Sequence, residues 1–273
     1  MPPKLLGATA RYIGAMASTH PAADAEAIQR ANALIASARR IVVLTGAGLS
    51  TDSGIPDFRG PDGVWTRNPE AERLSTIDTY LGSADVRERA WRARMDHPAW
   101  QADPNPGHDA ITGLSRTGRL ALTVTQNIDG LHLEAGLPAE ELVEIHGSMR
   151  RVRCVGCGIT SPMQATLARV RSGEPDPPCE LCGGILKSAT IFFGEALVAA
   201  DLNRALGAAK DADLLLAVGS TLQVYPVADM VPIAASNGAS VVIVNGEPTA
   251  MDDMADVVVL GSISEVLPAI VNL

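Results

Sequence analysis

The four cysteines of the chain form two C-x-x-C pairs that could hold a metal ion. Cys154 and Cys157 make the first pair, and Cys179 and Cys182 follow about twenty residues later. Two such pairs supply four thiolates that can close a tetrahedron around Zn²⁺, which leaves no position for a reacting water. We therefore predict one structural zinc ion. Two reactive dithiols or an iron–sulfur cluster are the alternatives that these residues allow.

A glycine-rich stretch is the second candidate site. Residues 41–44 are four consecutive apolar residues, which is typical of a strand buried on both faces of a parallel sheet. Gly46 and Gly48 follow, and their small size lets backbone N–H groups approach a diphosphate, while a helix beginning near Ser50 would add its positive end. Thr51 stands where the dinucleotide fingerprint G-x-G-x-x-G needs a glycine. Taken alone, the stretch fits a nucleotide site or a plain turn.

Polar residues follow the C-terminal ends of five apolar runs. Ligands of open parallel sheets bind outside the carboxyl ends of the strands, so these side chains are expected to face one site. Any one of them alone is typical of a helix cap or a loop, but the set indicates a shared site. Its members are Thr45, Asn127 with Asp129, His146, Ser220 with Thr221, and Asn245 with Glu247.

The elements that must position these groups can be read from the apolar runs. Helical patterns lie between several of the runs, which predicts an α/β fold with a doubly wound parallel sheet. Residues 60–100 contain no convincing buried strand, and we interpret them either as a functional lid or as a solvated helical insertion. The predicted strands cover residues 41–44, 120–125, 142–145, 214–218, 241–244 and 257–260.

The same reading predicts four units along the chain. Residues 1–22 form a loosely ordered N-terminal extension, because Pro, Ala, Ser and Thr crowd its end. The sheet domain comprises residues 23–60, 101–149 and 187–273. Residues 61–100 are a cofactor-binding loop with a helical insertion, and residues 150–186 are the zinc-binding module.

Charge and hydropathy limit the partners and the compartment. The chain has 22 basic and 31 acidic residues, and its net charge of −9 disfavours nucleic acid or an anionic membrane as the main partner. No apolar run reaches the roughly 18 residues of a membrane span. The apolar stretch at residues 5–17 is interrupted, which makes it a poor secretory signal. We therefore expect a cytoplasmic protein with reduced cysteines, which favours a metal site over disulfides.

The order and spacing of these motifs resemble the sirtuins, the NAD-dependent protein lysine deacylases, and in particular a bacterial-type member. The resemblance covers residues 41–271 and implies a Rossmann-like NAD-binding domain with a smaller zinc-binding and helical domain formed by insertions. The motifs that carry it are Gly46-Ala47-Gly48-Leu49-Ser50, residues 54–59 and 125–129, His146-Gly147, the two cysteine pairs, Phe193-Gly194-Glu195, residues 219–222, and Val244-Asn245.

The resemblance also implies roles for single residues. His146 would be the general base, and an imidazole that titrates near neutrality suits that task. Asn127 and Asp129 would complete the catalytic group, with Asp129 and the backbone of Ile128 receiving the nicotinamide carboxamide. His132 is expected to be structural. The residues implied in NAD binding are Gly46, Ala47, Gly48, Asp57, Phe58, Arg59, Gln126, Asn127, Ile128, Asp129, Gly219, Ser220, Thr221, Asn245 and Glu247.

On the substrate side, the resemblance implies that an extended acyl-lysine peptide lies between two loops and gains main-chain hydrogen bonds from both. Ile191 and Phe192 would line the tunnel for the acyl-lysine. The residues implied in substrate binding are Ile191, Phe192, Phe193, Gly194, Glu195, Leu222 and Val224.

Some residues depart from the family pattern. Ser188 stands where many members have proline, and Thr190 replaces an apolar residue. Sirtuins that remove succinyl or malonyl groups carry a Tyr-x-x-Arg pair where this chain has Trp91 and Arg94; we interpret these two as a hydrophobic anchor and a solvated charge.

The leading functional prediction is an NAD-dependent protein lysine deacetylase, which transfers the acyl group to ADP-ribose and releases nicotinamide. The alternatives are a deacylase for succinyl, malonyl or longer chains, a protein mono-ADP-ribosyltransferase, and a non-enzymatic scaffold that senses NAD or ADP-ribose.

Overall fold

Two separate sheets organise the computed structural model, which describes residues 24–58, 60, 63–68 and 75–271. The predicted N-terminal extension and Arg59 lie outside the described residues. The strands are β1 Ile41–Thr45, β2 Leu120–Thr125, β3 Leu142–Glu144, β4 Gly147–Cys154, β5 Thr160–Pro162, β6 Leu186–Thr190, β7 Leu214–Val218, β8 Ser240–Asn245 and β9 Val257–Leu260.

The larger sheet has the order β3-β2-β1-β7-β8-β9, and all of its strands are parallel. Its strands carry the six apolar runs of the sequence, because a strand covered by helices on both faces must be apolar at every position. In β1, Ile41 and Val43 enter one core, and Val42 and Leu44 enter the other. The prediction of a doubly wound α/β sheet is confirmed.

The described residues also form ten α-helices. Short 3-10 helices lie between several of them. The bounds of the α-helices are α1 Ala25–Ser37, α2 Val64–Arg67, α3 Ile77–Gly82, α4 Ala84–Met95, α5 Pro106–Arg116, α6 Leu131–Glu134, α7 Met163–Arg171, α8 Ala199–Asp211, α9 Met230–Ser236 and α10 Ile263–Val271.

The helices cover the two faces of the larger sheet in distinct groups. Residues of α1, α5 and α10 pack into the core with Ile41, whereas residues of α8 and α9 pack into the core with Val42. Helix α5 begins with a capping box, in which the Asn105 side chain accepts from the Gly107 N–H and the Asn105 N–H donates to His108 Nδ1. No helix among the described residues is long and apolar enough to cross a membrane.

The smaller sheet is antiparallel with the order β5-β4-β6, and the sequence did not predict its strands. Fully buried Trp91 from α4 packs in one cluster with Val152 of β4 and Leu167 of α7, so the insertion before residue 100 shares a core with the cysteine module. This position is the one expected of an anchor. The sheet extends past residues 150 and 186, the predicted bounds of the zinc-binding module, and the division into four units stays a prediction.

Arg94 differs from the sequence interpretation. We expected a solvated charge, but the side chain is half-buried and its Nη2 donates to Ser188 Oγ over 3.0 Å. Ser188 Oγ in turn lies 2.8 Å from Thr190 Oγ1. Of the two residues that depart from the family pattern on β6, Ser188 therefore bonds this guanidinium and Thr190 bonds Ser188.

Candidate active site

The glycine loop packs directly against the turn that follows β7. The Gly46 N–H donates to the Val218 carbonyl over 2.9 Å, and a Cβ on Gly46 would lie 2.6 Å from the Gly219 oxygen. Only a residue without a side chain permits this approach. A helix does begin near Ser50, but it is a 3-10 helix over Ala47–Ser53, because the chain turns at once with the Leu49 N–H donating to the Gly46 carbonyl.

A buried polar cluster joins this loop to the segment after β2. Ser50 Oγ donates to Asp129 Oδ2 over 2.8 Å, and Asn127 Nδ2 donates to Ser50 Oγ and to the Gly46 carbonyl, each over 3.1 Å. The Leu131 N–H donates to the other carboxylate oxygen of Asp129. Ser50, Asn127 and Asp129 are all buried. The predicted pair Asn127 and Asp129 is therefore brought together, and its orientation is held by bonds to fixed backbone.

Ser50 is a member of this cluster that the predicted site residues did not include. Its position was visible as the last residue of the Gly46–Ser50 motif, but nothing in the sequence distinguishes a buried hydroxyl from a capping one. Thr51, the next residue, is exposed and donates to the Gly48 carbonyl.

His146 lies two residues after the end of β3, and one hydrogen bond defines its tautomer. Its Nδ1 is 3.1 Å from the Gln126 carbonyl oxygen, which can only accept. Nδ1 therefore carries the proton, and the lone pair of Nε2 is the basic position of the ring. The ring is half-buried, and the backbone of His146 is held by an Ile191 N–H that donates to its carbonyl over 2.8 Å.

The other predicted nucleotide contacts lie along the same edge. Gln126 Nε2 donates to Ser220 Oγ over 2.9 Å, which links the ends of β2 and β7. Asn245 Nδ2 donates to the Glu247 carbonyl over 2.6 Å, and Glu247 itself is exposed. Thr221 is half-buried beside Ser220.

The described part of the predicted cofactor loop contains Asp57 and Phe58. Asp57 Oδ1 accepts from the Gly60 N–H over 3.1 Å, and its carbonyl accepts from the Val64 N–H over 2.8 Å. Phe58 is exposed. Asp57 thus closes the turn that follows the glycine loop.

The predicted substrate segment at Phe193 is held from three directions. The Phe193 N–H donates to the Ser75 carbonyl over 3.1 Å, and its carbonyl accepts from the Ile77 N–H over 2.9 Å. Glu195 Oε2 accepts from the Phe192 N–H over 2.8 Å and lies 2.8 Å from Lys187 Nζ. Burial lowers the pKa of Lys187, and the Glu195 carboxylate opposes that shift.

The second predicted substrate segment runs through Leu222 and Val224. Leu222 is buried and has a φ of 56°, and its N–H donates to Ser220 Oγ over 3.2 Å. Ile191 and Val224 are half-buried, and Gly194 is exposed. Residues 191–196 and 222–224 are fully described, and neither segment forms a regular strand, so their pairing with a peptide stays a prediction.

Two histidines near the site are structural in their contacts. His132 Nε2 lies 3.0 Å from Thr45 Oγ1, and burial lowers the pKa of this ring to about 3. The ring of His108 is 5.2 Å away between centroids, and burial lowers its pKa to about 4. Both rings are therefore neutral at physiological pH.

The four cysteines meet at one point of the smaller sheet. Their Sγ atoms all lie within 4.8 Å of one another, and the pairs Cys154–Cys182 and Cys157–Cys179 are 3.5 and 3.8 Å apart. A tetrahedral ion with Zn–S bonds of about 2.3 Å would place sulfurs about 3.8 Å apart. The donor set therefore fits one zinc ion.

The fold and the site together define a class of nucleotide-binding proteins. The parallel sheet carries the glycine loop and the polar cluster beyond the ends of its strands, which is typical of a nucleotide-binding domain. The four thiolates add a structural metal module. The Sir2 family model matches residues 46–226, and the chain belongs to the Sir2 family. The sequence-based prediction of sirtuin membership is thereby confirmed.

Relatives with curated names are similar over most of their length. NAD-dependent protein deacetylase 2 of Streptomyces coelicolor is 47% identical over 232 residues, which cover 85% of this chain and 96% of the relative. NAD-dependent protein deacetylase 1 of Bradyrhizobium diazoefficiens is 40% identical over 243 residues, which cover 88% and 93% of the two chains.

Solved structures agree with this assignment. A structure described as "Structural Basis for the Mechanism and Regulation of Sir2 Enzymes" superposes with a TM-score of 0.81 and 38% identity, covering 90% of this chain and 97% of that chain. A Sir2 complex with a p53 peptide and NAD⁺ gives a TM-score of 0.80 and 32% identity over the same shares.

Proposed function

We propose that this protein is an NAD-dependent protein lysine deacetylase, which moves the acyl group from lysine to ADP-ribose and releases nicotinamide. The relatives with this name support the proposal, as does a Sir2 complex with a deacetylated p53 peptide and 3'-O-acetyl ADP-ribose. The observation in this chain that carries it is His146, whose protonated Nδ1 faces the Gln126 carbonyl beside the cluster of Asn127 and Asp129.

The residues of the glycine loop fit a dinucleotide. The close approach of Gly46 to Gly219 keeps side chains out of the cradle, and the hydroxyls of Ser220 and Thr221 lie on the neighbouring turn. Phosphate oxygens accept hydrogen bonds from backbone N–H groups and from hydroxyls. Asn245 and Glu247 would receive the adenosine ribose. When bound, NAD supplies a ribose carbon that can lose nicotinamide and bond to the acyl oxygen.

His146 would act as the general base through Nε2. The hydrogen bond from Nδ1 to the Gln126 carbonyl fixes the ring orientation and stabilises the imidazolium that forms when Nε2 takes a proton from a ribose hydroxyl. Gln126 also contacts Ser220, so the residue that orients the base belongs to the proposed nucleotide site.

Asp129 would receive the carboxamide of nicotinamide. Its carboxylate is buried and held by Ser50 and the Leu131 N–H, so it cannot rotate away from a ligand without breaking both bonds. Asn127 is held by Ser50 and by the Gly46 carbonyl. This arrangement supplies a preorganised acceptor, which is worth more in a buried site than in water.

Acyl-lysine peptides are the proposed substrates. Phe192, with its ring 5.1 Å from that of Tyr80, and Ile191 would line the passage for the acyl-lysine. The segments around Gly194 and Val224 would pair with the peptide backbone. The four-cysteine site would hold a structural zinc ion with no part in the reaction.

The test is incubation of the protein with NAD and a panel of acyl-lysine peptides carrying acetyl, propionyl, succinyl and long-chain groups, followed by mass spectrometry. We expect free lysine peptide, nicotinamide and O-acetyl-ADP-ribose from the acetyl peptide. His146→Ala is expected to lower kcat by at least about 10²-fold, because general-base catalysis typically contributes that much. Absence of turnover with every peptide would contradict the proposal.

A second variant tests whether activity depends on a base at this position. His146→Gln keeps a polar side chain at the site but cannot take a proton, so it is expected to be as inactive as His146→Ala while it binds NAD like the wild type.

A labelling experiment distinguishes deacylation from ADP-ribosyl transfer. Label from radiolabelled NAD that stays on protein after denaturation, and disappears in His146→Ala, would favour a mono-ADP-ribosyltransferase instead.

A further inference from the structure

Arg150 connects the smaller sheet to the loop that carries Asp129. It lies on β4, and its Nε donates to the backbone carbonyl of Asp129 over 2.6 Å. We propose that Arg150 is a positioning residue that fixes the backbone of residues 128–130 for NAD binding. The inference rests on the proposed function, because it assigns Asp129 to the nicotinamide end of the cofactor.

The guanidinium of Arg150 is itself held on three further sides. Nη2 donates to the Ala99 carbonyl over 3.3 Å and forms an ion pair with Glu134 Oε1 over 2.7 Å. The guanidinium carbon lies 5.2 Å from the centre of the Trp100 ring. The side chain of Arg150 is 29% exposed. A planar fork with several partners loses little freedom on forming each bond, so Arg150 provides a fixed donor at the Asp129 carbonyl.

Met149, the residue before Arg150, also bonds the loop of residues 128–130. The Met149 N–H donates to the Ile128 carbonyl over 2.9 Å, and the fully buried Met149 side chain packs in one cluster with Leu131. Two successive residues of β4 therefore bond two successive carbonyls of the loop. The backbone N–H of Ile128 and the carboxylate of Asp129, both in this loop, are proposed to face nicotinamide.

Different residues hold the carboxylate and the backbone carbonyl of Asp129. Ser50 and the Leu131 N–H hold the carboxylate, whereas Arg150 holds the backbone carbonyl of the same residue. Loss of the arginine would leave the carboxylate bonds in place and release the peptide unit between Asp129 and Gly130. We therefore expect the loss of Arg150 to weaken the binding of NAD more than it weakens the binding of the acyl-lysine peptide substrate.

The experiment compares Arg150→Met, Arg150→Lys and the control Arg151→Ala. Methionine keeps a long apolar stem but removes every donor, and lysine keeps one charged donor in reach of the Asp129 carbonyl. Arg151 is the next residue on the same strand, is exposed, and donates to Thr160 Oγ1 away from the loop. All variants are first checked for the same metal content as the wild type.

We expect Arg150→Met to raise the KM for NAD and the calorimetric Kd for NAD by about tenfold, the effect of losing one charged hydrogen bond. The KM for the acetyl peptide should be unchanged. Arg150→Lys should recover part of the loss, and Arg151→Ala should match the wild type. Amide hydrogen exchange should rise over residues 127–131 in Arg150→Met and stay constant over β5 and β6.

Two results would overturn the inference. One is an unchanged NAD affinity with unchanged exchange over residues 127–131. The other is faster exchange across β4, β5 and β6 together, because Arg150 would then support the smaller sheet as a whole. A wild-type protein that binds NAD but shows no turnover would contradict the proposed function alone, and NAD affinity and exchange would still decide the role of Arg150.

Discussion

Ser50→Ala is the substitution that tests the polar cluster most directly. Ser50 Oγ is the only atom of the cluster that bonds both Asp129, as donor over 2.8 Å, and Asn127, as acceptor over 3.1 Å. Alanine removes both bonds and leaves the volume of the turn almost unchanged. Asp129 keeps the Leu131 N–H, and Asn127 keeps the Gly46 carbonyl.

The expected magnitude follows from these bonds. A hydrogen bond to a charged group contributes about 1.5–3 kcal/mol, and the carboxylate of Asp129 is buried, where a lost donor is not replaced by bulk water. At about 1.4 kcal/mol per factor of ten, kcat/KM for NAD should fall about ten- to a hundredfold. The free energy of unfolding should also fall, by about 1–3 kcal/mol.

The assay is steady-state deacetylation with varied NAD, together with urea unfolding of the same samples. Thr51→Ala is the matched control, because the Thr51 hydroxyl lies one residue along the same turn and donates to the Gly48 carbonyl at an exposed position. A Ser50→Ala protein with kcat/KM for NAD within about twofold of the wild type would refute this account of how Asp129 is held.

Two further predictions concern the metal and pH. Purified protein should contain one zinc per chain, and its removal by a chelator should unfold the cysteine module and lower activity until zinc is restored; a metal-free protein with full activity would be inconsistent with this. Burial lowers the pKa values of His97, His108 and His132 to about 4, 4 and 3. Below pH 6.5 the unfolded chain therefore binds more protons at these residues than the folded chain does. Their contribution makes the free energy of unfolding fall as pH falls from 6.5 towards 4. Burial raises the pKa of Glu144 to about 7, so this group binds more protons in the folded state and opposes the trend. Glu144→Gln should therefore steepen the loss of unfolding free energy between pH 6.5 and 5 by about 1 kcal/mol per pH unit. An unchanged slope in urea titrations would contradict this.

The larger sheet could be predicted because its strands are marked locally. Runs such as 41–44 and 214–218 are short and apolar at every position, which is typical of strands covered on both faces. The polar residues that end these runs could be assigned to one edge for the same reason. Parallel strands bring their carboxyl ends together whatever lies between them.

The smaller sheet could not be predicted in this way. β4 reads Gly-Ser-Met-Arg-Arg-Val-Arg-Cys, and its burial depends on Trp91 and Leu167, which are distant in the sequence. Arg94 was misread for a related reason, since its partner Ser188 lies on β6 and nothing on its own helix indicates it. Ser50 gains its contact with Asp129 from the pairing of β1 with β2, and Arg150 gains its contact from the way the smaller sheet meets the segment after β2.

The position of His146 between the two sheets has a mechanical consequence. β3 of the larger sheet ends at Glu144, and β4 of the smaller sheet begins at Gly147, whose φ of 74° lets it pass so close to β6 that a Cβ there would lie 2.1 Å from the Ala189 oxygen. The imidazole is tied to the Gln126 carbonyl on one side, and its backbone is tied to Ile191 on the other. Gln126 follows β2 of the larger sheet, and Ile191 follows β6 of the smaller sheet. The orientation of the proposed base therefore depends on both sheets, and a change in how they pack would move His146 relative to Gln126.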